Sequence, residues 1–142
     1  MLRYKVLIMN IILIARVSDV EQRKALPAQK LRLKDYAEKE LKQPYKYHEF
    51  DESAYKDDRR KFSALVDKIS QQKDFSIVVF DKIDRFTRDA SQSEVRKMGS
   101  LVEKGKIEMH FPSDNLKITK DSPATDLFRL GIGMLLAKYY SD

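Results

Sequence analysis

The stretch "NIILIARVS", residues 10–18, decides how this chain folds. It is continuously apolar from Ile11 to Ala15 and rich in β-branched residues, which is typical of a strand covered on both faces. The apolar run then ends abruptly in Arg16 and Ser18, two residues apart. Because side chains alternate along a strand, we expect this polar pair to share one face where the strand stops.

The rest of the chain repeats the order of strand and helix. Further strands are predicted at residues 45–50, 75–83 and 106–111, and helices at 26–44, 57–72, 91–105 and 122–142. This alternation predicts an α/β fold with a mostly parallel sheet of roughly four to five strands, flanked by helices. We expect one domain over residues 1–121, with 1–8 as an upstream extension if the chain starts at Met9. Residues 122–142 are expected to begin a long helix that is truncated here.

Charge and composition restrict the classes of function. Lys and Arg number 28 against 22 Asp and Glu, for a net charge of +6 and a pI near 9.4. A basic balance favours acidic partners such as nucleic acid. Cysteine is absent, which excludes disulfides and thiolate chemistry. The apolar run at residues 6–15 is too short to cross a bilayer, so we expect a cytoplasmic protein with no membrane partner.

A second polar cluster, "DKIDRFTRD" at residues 81–89, stands at the end of the third predicted strand. Arg85 and Arg88 are three residues apart and point the same way if the segment is helical. Asp84 lies beside them in the sequence and can orient one guanidinium through a bidentate pair. Taken alone, this cluster also fits a solvated charged turn.

The two polar clusters become more specific when they are combined. The carboxyl ends of parallel strands meet at one edge of a sheet, so Arg16, Arg85 and Arg88 are expected to surround Ser18. Several like charges in one place are costly as a stability device. They suit a phosphate, which arginine binds bidentately while staying charged, and they stabilise the charge that develops during phosphoryl transfer.

Other chemistries fit these residues less well. His48 and His110 both lie in predicted strands, and no G-x-S-x-G turn is present for a serine triad. The four glycines form no phosphate-binding loop, and no cluster has the spacing of metal ligands. We expect carboxylates of the acidic stretch "FDESAYKDD", residues 50–58, to pair with the arginines rather than to bind a cation.

These motifs resemble those of the serine recombinases, the resolvase/invertase family, and particularly its large serine integrase branch. The resemblance runs from about Ile11 to the C-terminus. "ARVSDVEQ" (15–22) looks like the signature that carries the nucleophilic serine, and "FDESAYKDDRRKF" (50–62) looks like the family's aspartate-and-arginine loop. "DKIDRFTRD" is similar to its Asp-Arg-x-x-Arg motif. The family implies a resolvase-like catalytic domain.

The resemblance also implies a set of site residues. The nucleophile falls on Ser18, and a glutamine and a lysine of the helices fall on Gln29 and Lys68. The remaining positions are phosphate-binding arginines that contact DNA and their associated acids, which fall on Arg16, Arg59, Arg85, Arg88, Asp51 and Asp84.

The implied mechanism is attack of Ser18 on a DNA phosphodiester to form a 5′-phosphoserine link, without a metal or cofactor. Strands then exchange within a tetramer assembled from homodimers on double-stranded DNA. The implied setting is a bacterial or phage-encoded protein at the nucleoid. Two departures, Ile14 in place of tyrosine and Asp19 in place of Ser or Thr, keep open a non-catalytic dimerisation or DNA-architecture module of the same fold. A small nucleotide-binding domain is disfavoured by the missing glycine-rich loop.

Overall fold

A computed structural model describes residues 9–87, 90–123 and 125–126 of the chain. Its sheet has five strands in the order β2-β1-β3-β4-β5. The first four are parallel, and β5 is antiparallel to β4. The strands are β1 (Asn10–Val17), β2 (Lys46–Asp51), β3 (Ser76–Phe80), β4 (Ile107–Phe111) and β5 (Leu116–Ile118). The predicted α/β fold with a mostly parallel sheet is confirmed.

Four α-helices are described: α1 (Leu26–Tyr36), α2 (Lys56–Gln71), α3 (Ile83–Thr87) and α4 (Gln92–Glu103). The helix predicted at residues 26–44 is shorter than expected, because α1 passes into a π-helical turn at Ala37–Leu41. Lys42 then takes a left-handed backbone conformation, with a φ of 53°. Helix α4 begins with the expected capping box, in which Ser91 and Glu94 each bond the other's backbone N–H.

Two strand predictions need correction. The strand predicted at residues 75–83 stops at Phe80, because α3 begins only three residues later. Strand β5 was missed, since three residues are too few to show a period. It forms because Asn115, with a φ of 49°, reverses the chain after a short 3₁₀ turn and pairs Leu116 with Phe111.

Both faces of the sheet are covered, which explains why β1 is apolar at every position from Ile11 to Ala15. One core lies between the sheet and helices α2 and α4, and it contains Ile12 and Ile14 of β1. The other lies against α1 and contains Ile11, Leu13 and Ala15. Consecutive side chains of β1 therefore enter opposite cores, as the strand period of two requires.

The register of the strands positions the candidate site. Val17 of β1 lies beside Asp51 of β2, and Ile14 of β1 lies beside Phe80 of β3. The segments that follow these three strands therefore share the carboxyl edge of the sheet. Arg88 and the helix predicted at 122–142 fall outside the described residues, apart from the stretches 122–123 and 125–126. Within the described residues, no helix is long and apolar enough to cross a membrane.

Candidate active site at the carboxyl edge of the sheet

Ser18 is the first residue after β1. Its backbone N–H donates to Gln22 Oε1 at 3.3 Å. The cap of the following 3₁₀ turn is the neighbouring residue, because Asp19 Oδ1 accepts the Gln22 N–H at 3.0 Å. Asp19, which departs from the pattern of the similar family, therefore has a structural role as the cap of this turn. The Ser18 hydroxyl oxygen is buried, and it has no hydrogen-bond partner among the described residues.

Arg16 is buried to 1% exposure, although it lies only two residues before Ser18. Its Nη1 donates to the backbone carbonyls of Arg85 and Phe86, at 3.1 Å each. Its other edge faces the Glu52 carboxylate: Nη2 donates to Oε1 at 3.1 Å, and Nε donates to Oε2. The structure therefore buries this guanidinium at the end of β1. It ties the end of β1 to the segments that follow β2 and β3.

Glu52 and Phe62 join Arg16 to Arg59. The Arg59 Nε lies 3.5 Å from Glu52 Oε1, and the Glu52 side chain is only 6% exposed. The two guanidinium carbons lie 4.4 Å (Arg16) and 5.8 Å (Arg59) from the centroid of the Phe62 ring, within cation–π range. The expectation that carboxylates of residues 50–58 pair with the arginines is met here. Sequence reasoning did not single out Glu52, although its position next to Asp51 at a strand end was a usable signal.

Arg59 is also held from the other side by Glu94, at the start of α4. Its Nη1 and Nη2 donate to the two carboxylate oxygens at 2.8 and 2.5 Å. Burial opposes ionisation of Glu94, but the bonds from Arg59 and Ser91 outweigh it and hold its pKa below the ordinary value. The Arg59 side chain remains 34% exposed, so solvent reaches part of it.

Gln29 of α1 is fully buried and acts on the backbone of Arg16. Its Oε1 accepts the Arg16 N–H at 3.1 Å, and its Nε2 donates to the Arg16 carbonyl at 3.2 Å. The two groups need this partner because β3 pairs with β1 only as far as Ile14. The side-chain amide thus takes the place of a missing strand.

Asp84 and Arg85 lie in α3, above the end of β3. Asp84 Oδ1 and Arg85 Nε are buried, and neither has a hydrogen-bond partner in the described part of the chain. The expected pair between Asp84 and a guanidinium is not seen among the described residues. Every buried side-chain N or O without a partner in that part belongs to Ser18, Asp84 or Arg85.

Asp51 closes the loop that carries Glu52. Its Oδ1 accepts the backbone N–H groups of Ser53 and Ala54 at 3.1 Å each, as well as the Ser53 hydroxyl. Its Oδ2 accepts from Arg23 Nε at 3.0 Å. Burial raises the pKa of Asp51, but these bonds and Arg23 outweigh it, so the net pKa lies below the ordinary value. Both carboxylate oxygens are used in shaping the loop.

Asp81 anchors the segment before α3, a role that was not predicted from the sequence. Arg32 of α1 donates to its two oxygens at 2.9 and 2.7 Å, and the Ser113 hydroxyl donates at 2.7 Å. Burial opposes ionisation of Asp81, but these donors outweigh it and lower its pKa. Asp114 accepts the Ile83 N–H at 2.7 Å, which fixes the start of α3.

Lys68 is not brought to this site. It lines a cleft with Asn10 and Lys46, at the amino ends of β1 and β2. Lys68 follows Arg59 by nine residues on α2, a rise of about 13 Å along the helix axis. His48 and His110 lie in β2 and β4, as expected. His110 contacts Tyr36 Oη at 2.8 Å and Glu108 Oε1 at 3.0 Å, and burial lowers its pKa.

The fold and this edge define a class: an α/β domain with a serine whose hydroxyl oxygen is buried and an arginine network at the carboxyl ends of its strands. The family model for the resolvase N-terminal domain matches residues 11–142. The chain belongs to this family, and it is a resolvase-type catalytic domain of a serine site-specific recombinase. The family predicted from the three motifs is confirmed.

Two solved structures are similar to this chain, and the first of them shows the same fold. The N-terminal catalytic domain of TP901-1 integrase has a TM-score of 0.51 at 21% identity, over 92% of this chain and 95% of that one. The C-terminal catalytic domain of ISC1926 TnpA, an IS607-like serine recombinase, has a TM-score of 0.47 at 19% identity, over 89% and 80%. A comparison with curated proteins finds no match.

Proposed function

We propose that this domain cleaves and rejoins double-stranded DNA, with Ser18 as the nucleophile. The observation that carries the proposal is a set of three buried atoms that have no hydrogen-bond partner among the described residues: Ser18 Oγ, Asp84 Oδ1 and Arg85 Nε. A buried polar group without a partner costs about 1–3 kcal/mol, so proteins rarely keep several in one region without a use. A hydroxyl, a carboxylate oxygen and a guanidinium N–H are the groups that phosphoryl transfer by a serine requires.

The proposed reaction conserves the number of phosphodiester bonds. Ser18 Oγ forms a bond to phosphorus while the bond from phosphorus to the 3′ oxygen breaks. The Ser18 hydroxyl releases its proton to water, and the departing 3′ oxygen takes up one proton from water to become a free hydroxyl, so the step is balanced in protons. The product is a 5′-phosphoserine link, whose energy allows a 3′ hydroxyl to attack in turn and reseal the strand.

Arginines provide the charge stabilisation in this proposal. Arg85 has an Nε–H to offer a phosphate oxygen, and Arg59 is exposed enough to exchange a carboxylate for a phosphate. We assign Arg88 the same role from its place in the Asp-Arg-x-x-Arg motif. Arg16, at 1% exposure, is assigned an indirect role through the carbonyls of Arg85 and Phe86.

The family implies a DNA substrate and an oligomeric synapse in general. We propose that the protein is a homodimer that forms a tetramer on two DNA sites, where strands are exchanged. The net charge of +6 supports DNA as the partner.

The test uses the full-length recombinase and supercoiled plasmids that carry fragments of the DNA in which its gene lies. Covalent protein–DNA adducts are trapped with detergent and counted for the wild type, for Ser18→Ala and for Ser93→Ala, a control at an exposed serine of α4. We expect adducts with the wild type and the control, and none with Ser18→Ala, which should still bind DNA. Adducts that persist in Ser18→Ala would refute the nucleophile. DNA binding by the wild type without any adduct would indicate a non-catalytic module.

A further inference from the structure

Glu52 holds a position that the proposed chemistry does not use. It follows the last residue of β2, and its backbone N–H donates to the Val17 carbonyl at 3.0 Å, which extends the β1–β2 ladder by one bond. Its backbone is therefore fixed beside the residue that precedes Ser18. Its side chain is 6% exposed and points to two guanidiniums.

Glu52 contacts the Arg16 guanidinium side-on, in a bidentate pair. Glu52 accepts from Nε and Nη2, which leaves Nη1 directed at the carbonyls of Arg85 and Phe86. A fork held at two points cannot rotate about its Cδ–Nε bond. The carboxylate therefore determines where the Arg85 carbonyl is held, and with it the short helix α3 that carries the Arg85 side chain.

The contact with Arg59 adds a second connection. Arg16 and Arg59 are both cations, and they lie against the same Phe62 ring. Two neighbouring guanidiniums repel each other unless an anion lies between them. Glu52 is placed to supply that anion to both, at the edge of the sheet where the serine lies.

From these contacts we infer that Glu52 is a positioning residue of the DNA-cleavage site, which acts through Arg16 and Arg59 to set the place of Arg85. The inference rests on the proposed function of Ser18. Glutamine at position 52 would turn an N–H donor toward a guanidinium donor, and aspartate would be one methylene too short to reach both arginines. Both changes should misplace Arg85 while leaving Ser18 itself intact.

The experiment measures cleavage in a single turnover, with the full-length recombinase and a plasmid on which the wild type forms covalent adducts. The variants are Glu52→Gln, Glu52→Asp and the control Glu49→Gln, which alters an exposed carboxylate bonded to Tyr47. We expect the rate constant of adduct formation to fall about 10- to 100-fold in both Glu52 variants, because small misplacements have effects of this size. The final amplitude and DNA affinity should stay those of the wild type, as should all properties of the control.

The outcomes separate the two proposals. A lowered amplitude with an unchanged rate constant, or unfolding of Glu52→Asp as well as Glu52→Gln, would mean a purely structural role and overturn the inference. Wild-type cleavage by Glu52→Gln would also overturn it while leaving Ser18 as the nucleophile. Adducts in Ser18→Ala would instead refute the proposed function, and the inference would fall with it.

Discussion

Gln29→Leu is the substitution whose cost follows most directly from the structure. Leucine has a similar size and suits the apolar surroundings of α1, but it cannot pair with the backbone of Arg16. The N–H and C=O of Arg16 then lose partners at 3.1 and 3.2 Å in a site from which water is excluded. Each unsatisfied buried group costs about 1–3 kcal/mol, so we expect a loss of about 2–6 kcal/mol in the free energy of unfolding.

Urea unfolding at pH 7, followed by circular dichroism, measures this loss. The midpoint should fall while the slope with urea stays constant, because the folded and unfolded surfaces hardly change. Gln43→Leu, at an exposed loop position, is the matched control and should stay within about 0.5 kcal/mol of the wild type. A loss below about 1 kcal/mol in Gln29→Leu would show that the side-chain amide does not replace a strand for Arg16, and the reasoning would be wrong.

Three further predictions concern charge and pH. Asp51, Asp81 and Glu94 have folded-state pKa values below their ordinary ones. Below about pH 4 the unfolded state therefore binds more protons than the folded state, and the free energy of unfolding decreases as the pH falls. Urea midpoints at pH 6, 4 and 3 measure this decrease in stability, which should be smaller in Asp81→Asn than in the wild type. An equal decrease in both proteins would contradict the contribution of Asp81. Arg32→Met should raise the pKa of Asp81, which NMR titration of the carboxyl carbon can detect, and an unchanged pKa would count against the ion pair. Burial lowers the pKa of His110, so stability should also decrease as pH falls below about 6.5, and His110→Gln should reduce that slope between pH 7 and 5.

The local sequence pattern was sufficient to predict which strand ends form the site. The apolar run of β1 and the turn signals after it indicated where the strand stops, and the parallel sheet brought that end close to α3. Ser18 and Arg85 therefore lie at the same edge, as the sequence predicted. Lys68 was grouped with them through family resemblance alone, and the direction of α2 carries it to the other end of the sheet.

The sequence by itself determined the fold class, the family and the strand ends that hold the site, because the strand period and short motifs are local properties. The tertiary structure alone decided what Arg16 does. Its partners Glu52, Arg85 and Phe86 are 36, 69 and 70 residues away along the chain. They meet it through strand register and loop closure, which no local period encodes. The arginine that the pattern placed at the end of β1 is thereby buried and ties three segments together, since a buried guanidinium requires hydrogen-bond partners for its N–H groups.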